Sequence, residues 1–288
     1  MRIEGLGIFS NPLEGKLLMD KIRIFPIQKL SLTPEMVDKG GWEYIRHTIN
    51  QASEYDNKFL PLVVPKNSIG EKHAKNHFTR VHKLLCDAEE KKELNIIGID
   101  LGIELRIVAT YRTVKEYLPY WNLAREIFKG RKLIAPGFTM ISDREFNELR
   151  DFLLRCNYQP DILGIHLYGG DDGDEEKNFE YKKEMLEKVI RITDLPIALT
   201  ETGQHSKVTG FWLWKKGGEE FQSKVIMRWV RHIFSIRQVI MALIYTHSND
   251  GRYLHNKEGH FGLLREKEKR FSPKPVYDEL IHFLGDLK

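Results

Sequence analysis

Long apolar runs are missing from this chain of 288 residues: 41% are hydrophobic, 30% are charged, and no stretch of about 18 apolar residues could cross a bilayer. Cysteine is scarce. Cys86 and Cys156 are the only two, and they fall in separate helix-like segments. That pair makes neither a disulfide framework nor a thiolate metal site, and both read as reduced core residues. A charge excess is also missing, because 45 Lys and Arg against 41 Asp and Glu leave only +4. Near balance implies no polyanion, so no nucleic-acid or membrane partner is expected. The N-terminal Met1 to Phe9 has no long apolar stretch and no small-residue cleavage site. It reads as a first strand, and a cytoplasmic location is the expectation. Linkers, repeats and low-complexity segments are absent as well, which predicts one domain over residues 1–288.

What is present is alternation. Short apolar runs predict strands at 5–9, 21–25, 59–64, 95–101, 132–135, 161–167, 196–200 and 240–245. Amphipathic stretches predict helices at 41–55, 74–90, 114–128, 142–155, 181–192, 219–236 and 275–284. Residues 13–20 leave room for at most a very short helix between the first two strands. Strands that alternate with helices run parallel, and eight such units predict an α/β fold, a single (β/α)8 TIM barrel. The acidic stretch from Asp171 to Glu176 lacks EF-hand spacing and reads as a solvated loop, as does the mixed-charge stretch from Arg265 to Arg270.

The strand ends carry the chemistry. In a barrel of this kind they all open into one cleft. Leu195-Pro196-Ile197-Ala198-Leu199-Thr200-Glu201-Thr202-Gly203 is an apolar strand that ends in a carboxylate. A buried strand interior has no use for Glu, so Glu201 belongs at the cleft. Arg23 follows the predicted second strand, and Glu104 lies just beyond the fourth. His166 and Tyr168 end the sixth; Tyr245, His247, Asn249 and Asp250 follow the eighth. His205 comes soon after Glu201. Trp212 and Trp214 lie in the loop above the seventh strand, where they offer flat stacking faces, a hydrophobic lid or packing. Trp42, Trp121 and Trp229 fall in helical patterns and read as packing residues.

The order of these segments resembles the clan A glycoside hydrolases, a superfamily of TIM barrels. Its acid/base follows strand four and its nucleophile follows strand seven. Leu195 to Gly203 is similar to the nucleophile strand, Asp161 to Tyr168 to the sixth strand, and Lys132 to Gly137 to the fifth. Gln222 matches the helix before strand eight. His260 to Leu264, followed by Lys274-Pro275-Val276-Tyr277, matches the family's ending. The resemblance implies a retaining glycosidase acting on a β-linked glycoside, oligosaccharide or polysaccharide. Glu201 would be the nucleophile and Glu104 the acid/base. Arg23, as the strand-two Arg, and Tyr168 would favour the ionised Glu201. Arg23, His166, Tyr168, His205, Trp212, Trp214, Tyr245, His247 and Asn249 would bind substrate. The implied partner is a carbohydrate, with no cofactor and no metal.

One position departs from the family. Where its strand-four motif carries Asn before the Glu, this chain has Ile103. That Asn would hydrogen-bond the sugar 2-hydroxyl, and Ile has no polar group to offer. A carbohydrate-binding barrel that has lost turnover is therefore the alternative. A metal-dependent hydrolase using His166, His205, His247 and Asp250 is a third reading, but the first strand has no His-x-His pair to complete its ligands.

Overall fold

The computed structural model of the chain describes residues 5–10, 25–34, 37, 42–43, 58–63, 71–101, 113–140, 142–168, 174–206, 218–245, 262–267 and 270–286. Eight parallel strands form a closed barrel in sequential order: β1 Gly5–Ser10, β2 Ile27–Leu32, β3 Lys58–Val63, β4 Ile99–Asp100, β5 Leu133–Thr139, β6 Ile162–Tyr168, β7 Ile197–Gly203 and β8 Val239–Ile244. Closure comes from β1 pairing with β8, where Gly5 lies opposite Met241 and Ile8 opposite Ile244. Around the barrel lie α1 Glu71–Glu90, α2 Val114–Ile127, α3 Asp143–Arg155, α4 Glu175–Ile190, α5 Glu219–Ile233 and α6 Pro275–Asp286. The predicted (β/α)8 architecture is what the chain adopts.

Helix starts follow from their caps. The Thr113 hydroxyl accepts from the Glu116 amide at the head of α2, and the Ser142 hydroxyl accepts from the Arg144 amide at the head of α3. Asp174 caps α4 by accepting from the Lys177 amide, and Glu175 and Glu176 occupy the first turn. The acidic stretch expected as a loop therefore becomes a helix start from Asp174 onward. It begins earlier than the predicted 181 because carboxylates suit a helix N-terminus. Residues 265–270 are also corrected. Of these, 265–267 and 270 belong to a two-stranded antiparallel sheet, β9 Leu264–Lys267 with β10 Arg270–Pro273, and 268–269 lie outside the described residues.

The core has two shells. Inside the barrel sit Ile27, Leu60, Ile134, Ile162, Ala198, Ile240, Met241 and Leu243. A larger cluster between barrel and helices includes Leu163, Leu199, Phe138, Phe152, Trp121 and Trp229. Trp42, Trp121 and Trp229 are buried packing residues, as expected. Cys86 and Cys156 are free thiols, but both are half-buried rather than core. Gly7 on β1 is required by close approach: a Cβ there would lie 2.3 Å from Leu243 Cδ2 and 2.7 Å from Ile27 Cβ.

The second strand is the main correction. It is Ile27–Leu32, whereas 21–25 was expected; of that run only Phe25 is described, buried before the strand and edge-on to Tyr277. The physical reason is that β2 reads Ile-Gln-Lys-Leu-Ser-Leu. Ile27 belongs to the inner shell and Lys29 also points inward, so the strand lacks an apolar run. Arg23 thus precedes β2 instead of following it, and it lies outside the described residues.

Candidate active site

Glu201 is placed by a fault in the strand ladder. Along β6 and β7, Ile165 pairs with Leu199 but the next residue, His166, pairs with Glu201. Thr200 is the extra residue of a β-bulge. Ala198 faces the inner shell and Leu199 the outer one. Strict alternation would send Glu201 outward with Leu199. The bulge reverses the phase and turns Glu201 into the barrel mouth. Past the bulge, Thr202 faces outward: its hydroxyl donates to the Leu167 carbonyl at 2.6 Å and accepts from Trp229 Nε1 at 3.1 Å.

The Glu201 carboxylate meets a cation and two aromatic side chains. Lys29 Nζ lies 3.0 Å from Oε1. The Tyr168 hydroxyl donates to Oε2, and His166 Nδ1 is 3.6 Å from the same oxygen. Burial, with 8% of the residue exposed, pushes the Glu201 pKa up. The neighbouring His166, the ammonium of Lys29 and the Tyr168 hydroxyl outweigh burial and hold it at about 2. The group is therefore a carboxylate at any ordinary pH.

Lys29 is the central cation. It is fully buried, and its ammonium reaches Glu201 Oε1 at 3.0 Å, Asp100 Oδ2 at 2.9 Å and the Thr200 carbonyl at 3.1 Å. An ammonium has three N–H donors, and three oxygens surround this one. Burial alone would push its pKa down. Asp100 and Glu201 outweigh that and hold it above the usual lysine value. A buried charge cluster of this kind adds little net stability, because desolvation offsets attraction. Its effect is orientation. It ties β2, β4 and β7 together across the barrel.

Sequence reasoning missed Lys29 and Asp100. The signal for Lys29 was a charge within an otherwise strand-like segment after Pro26. Asp100 was present in the Ile99-to-Glu104 motif without a role. Asp100 is fully buried on β4. The residue after it, Leu101, accepts from the Tyr117 hydroxyl of α2 at 3.0 Å, which anchors the point where the chain leaves β4. Burial, with Asp100 nearby, pushes the Tyr117 phenol well above its usual value.

Of the expected site residues, Glu201, His166 and Tyr168 meet directly. Tyr245 joins them: its ring packs edge-on to Tyr168 at 5.9 Å, and its amide donates to the Thr202 carbonyl at 2.8 Å. His166 is in turn edge-on to Tyr168 at 6.4 Å. His205 is buried in the segment that follows β7. Lys29, on β2, reaches the Glu201 carboxylate, and Arg23, expected beside it, lies outside the described residues. Glu104, Ile103, Trp212, Trp214, His247, Asn249 and Asp250 lie outside the described residues. Among the described residues no cluster of three or more His, Cys, Asp or Glu could hold a metal ion, and no helix is long and apolar enough to cross a membrane.

No family model matches the chain, and no curated protein matches it in sequence. Solved structures do match in fold. A β-glucuronidase from Ruminococcus gnavus, in complex with uronic deoxynojirimycin, superposes with a TM-score of 0.68 at 14% identity, over 98% of this chain and 50% of its own. A β-glucosidase gives 0.67 at 12% identity, over 93% of this chain and 87% of its own. An endo-β-1,3-glucanase of glycoside hydrolase family 128 from Amycolatopsis mediterranei, in complex with laminarihexaose, gives 0.62 at 14%, over 96% of this chain and 98% of its own. The chain spans about half the length of the β-glucuronidase it matches. Its fold, a closed (β/α)8 barrel, is one it shares with these glycoside hydrolases.

Proposed function

We propose that residues 1–288 form one catalytic barrel, a retaining glycoside hydrolase acting on a β-linked glycoside, oligosaccharide or polysaccharide. The observation that carries this reading is the ionised Glu201 carboxylate, held at the C-terminal mouth of β7 by Lys29, Tyr168 and His166. A glycosidase nucleophile has to be an anion while its partner is an acid. The β-glycosidases that share the fold support the substrate class.

In this mechanism Glu104 donates its proton to the leaving oxygen as Glu201 attacks the anomeric carbon. A covalent glycosyl–enzyme forms. Glu104 then takes a proton from water, which releases the sugar with net retention. Retention asks for carboxyl groups about 5–5.5 Å apart. The apolar neighbour Ile103 favours a protonated Glu104 by desolvation. Tyr168 and Tyr245 offer ring faces to the sugar, and His166, His205, His247, Asn249, Trp212 and Trp214 complete the proposed binding set. Arg23 belongs to the same proposed set, beside the Lys29 cation that pairs with Glu201.

Ile103 favours a second reading, a barrel that binds sugar without turnover. A 2-fluoro glycoside panel followed by peptide mass spectrometry separates the two. Covalent label on Glu201 supports the hydrolase. Sugar binding without label or turnover, unaltered in Glu104→Gln, supports the binding protein.

A further inference from the structure

Beyond Glu201 the chain is held from outside the barrel by a row of donors. Trp229 Nε1 reaches the Thr202 hydroxyl at 3.1 Å. Lys182 Nζ donates to the Gly203 carbonyl at 3.1 Å. Gln222 Nε2 donates to the Gln204 carbonyl at 2.7 Å, and Lys274 Nζ donates to the Ser206 hydroxyl at 3.0 Å and to Gln222 Oε1 at 3.3 Å. Gln222 and Lys274 were singled out by their motifs. Lys182 was not.

Lys182 is the anomalous member. It lies on α4 with no exposed surface, its amine 5.5 Å from the centre of the Trp229 ring. Among the described residues no carboxylate pairs with it. On its own helix, Glu175 and Glu176 are engaged by Arg228 of α5 instead. From α5, His232 packs on the far neighbours of the site, Trp229 and Phe179. From the strands, Leu167 and Thr202 face this layer and carry no charge. One hydrogen bond and one ring contact do not offset the desolvation of an ammonium. A methionine of similar length would be the more stable occupant.

We propose that Lys182 is a positioning residue: it fixes the segment from Gly203 to Ser206, and through it the pose of Glu201 two residues earlier and of His205, at a cost in stability. The catalytic part of this role rests on the glycosidase reading. Burial supports the argument, since it pushes the Lys182 amine down to about 7. Proteins retain destabilising groups where function needs them.

The test is Lys182→Met in the full chain, read first by hydrogen exchange and thermal melting, which need no substrate. Exchange of amides 203–206 is expected to quicken at least tenfold while α2 and α3 stay unchanged. The melting temperature at pH 6 is expected to equal or exceed that of the parent. Unchanged exchange at 203–206 overturns the proposal. So does a lower melting temperature with faster exchange throughout the barrel, which marks a packing role only. Lys182→Gln ends one atom short of the amine position and is read the same way should the Met variant not fold. Failure of both to fold overturns positioning in favour of a folding role. On a β-glycoside the parent hydrolyses, kcat of the Met variant is expected to fall tenfold or more with KM within twofold; an unchanged kcat overturns the catalytic part. A parent inert on every glycoside defeats the glycosidase reading alone, and local exchange then decides the role of Lys182.

Discussion

Lys29 grips Glu201 twice, once at its carboxylate and once through the carbonyl of Thr200, the bulged residue just before it. One ammonium thus sets both the charge state of the carboxylate and the backbone kink that aims it. The outcomes below follow from this and from the packing around it.

Lys29→Met leaves Asp100 and Glu201 buried without their cation. Breaking a buried pair on one side costs about 3–5 kcal/mol, so the denaturant midpoint should drop sharply. The double variant Lys29→Met/Asp100→Asn should lose less than the two single losses combined, since it removes one orphaned charge. Full additivity in urea unfolding would show that Lys29 and Asp100 do not act together.

The pH dependence follows from Glu201. Its folded value of about 2 lies below the unfolded value of roughly 4.3. Its contribution to stability is therefore present above about pH 4.3 and fades as pH falls toward 2, with a size of about 3 kcal/mol. Tyr168→Phe removes the hydroxyl donor, so the acid limb of kcat/KM should move up by about one pH unit. An unmoved limb would mean that the hydroxyl bond does not hold the anion.

Gly7→Ala forces a methyl group against Leu243 and Ile27 within the closed barrel. Overpacking of this type costs typically about 1–3 kcal/mol. Chemical denaturation should show that loss, with little change in KM because Gly7 belongs to the inner apolar shell.

The side chain of Thr200 matters little to the site. Thr200→Ser should keep most activity and lie within about 1 kcal/mol of the parent, since its hydroxyl bond to Ile165 is long at 3.4 Å. Deleting Thr200 removes the bulge and sets Glu201 directly after Leu199, so alternation still turns the carboxylate inward. The deletion variant should keep a depressed Glu201 pKa, and a carboxylate that titrates near its unfolded value by NMR would show that the bulge itself is needed to aim it.

The sequence made β6 and β7 legible because each is an apolar run that stops at a polar residue, and His166, Tyr168 and Glu201 are those stops. β2 was illegible for the converse reason. Lys29 points into the barrel, and a strand with a polar interior face breaks the pattern by which strands are found. The bulge at Thr200 left no mark at all, since register is a relation between strands rather than a property of one. Lys182 was hidden among neighbours, as Tyr181-Lys182-Lys183-Glu184 reads as a solvated helix face, and only the packing of α4 on α5 and β7 shows that one of its lysines is enclosed.

The layer of the barrel at its mouth is ionic where the layers below are hydrocarbon. Heat acts on the two differently. The hydration that Lys29, Asp100 and Glu201 forgo becomes less favourable as water warms, whereas the gain per buried methyl group levels off. The charged layer should therefore weigh least against folding near the top of the protein's working temperature. The loss caused by Lys29→Met should then be larger at 60 °C than at 20 °C, so this end of the barrel is best suited to warm conditions.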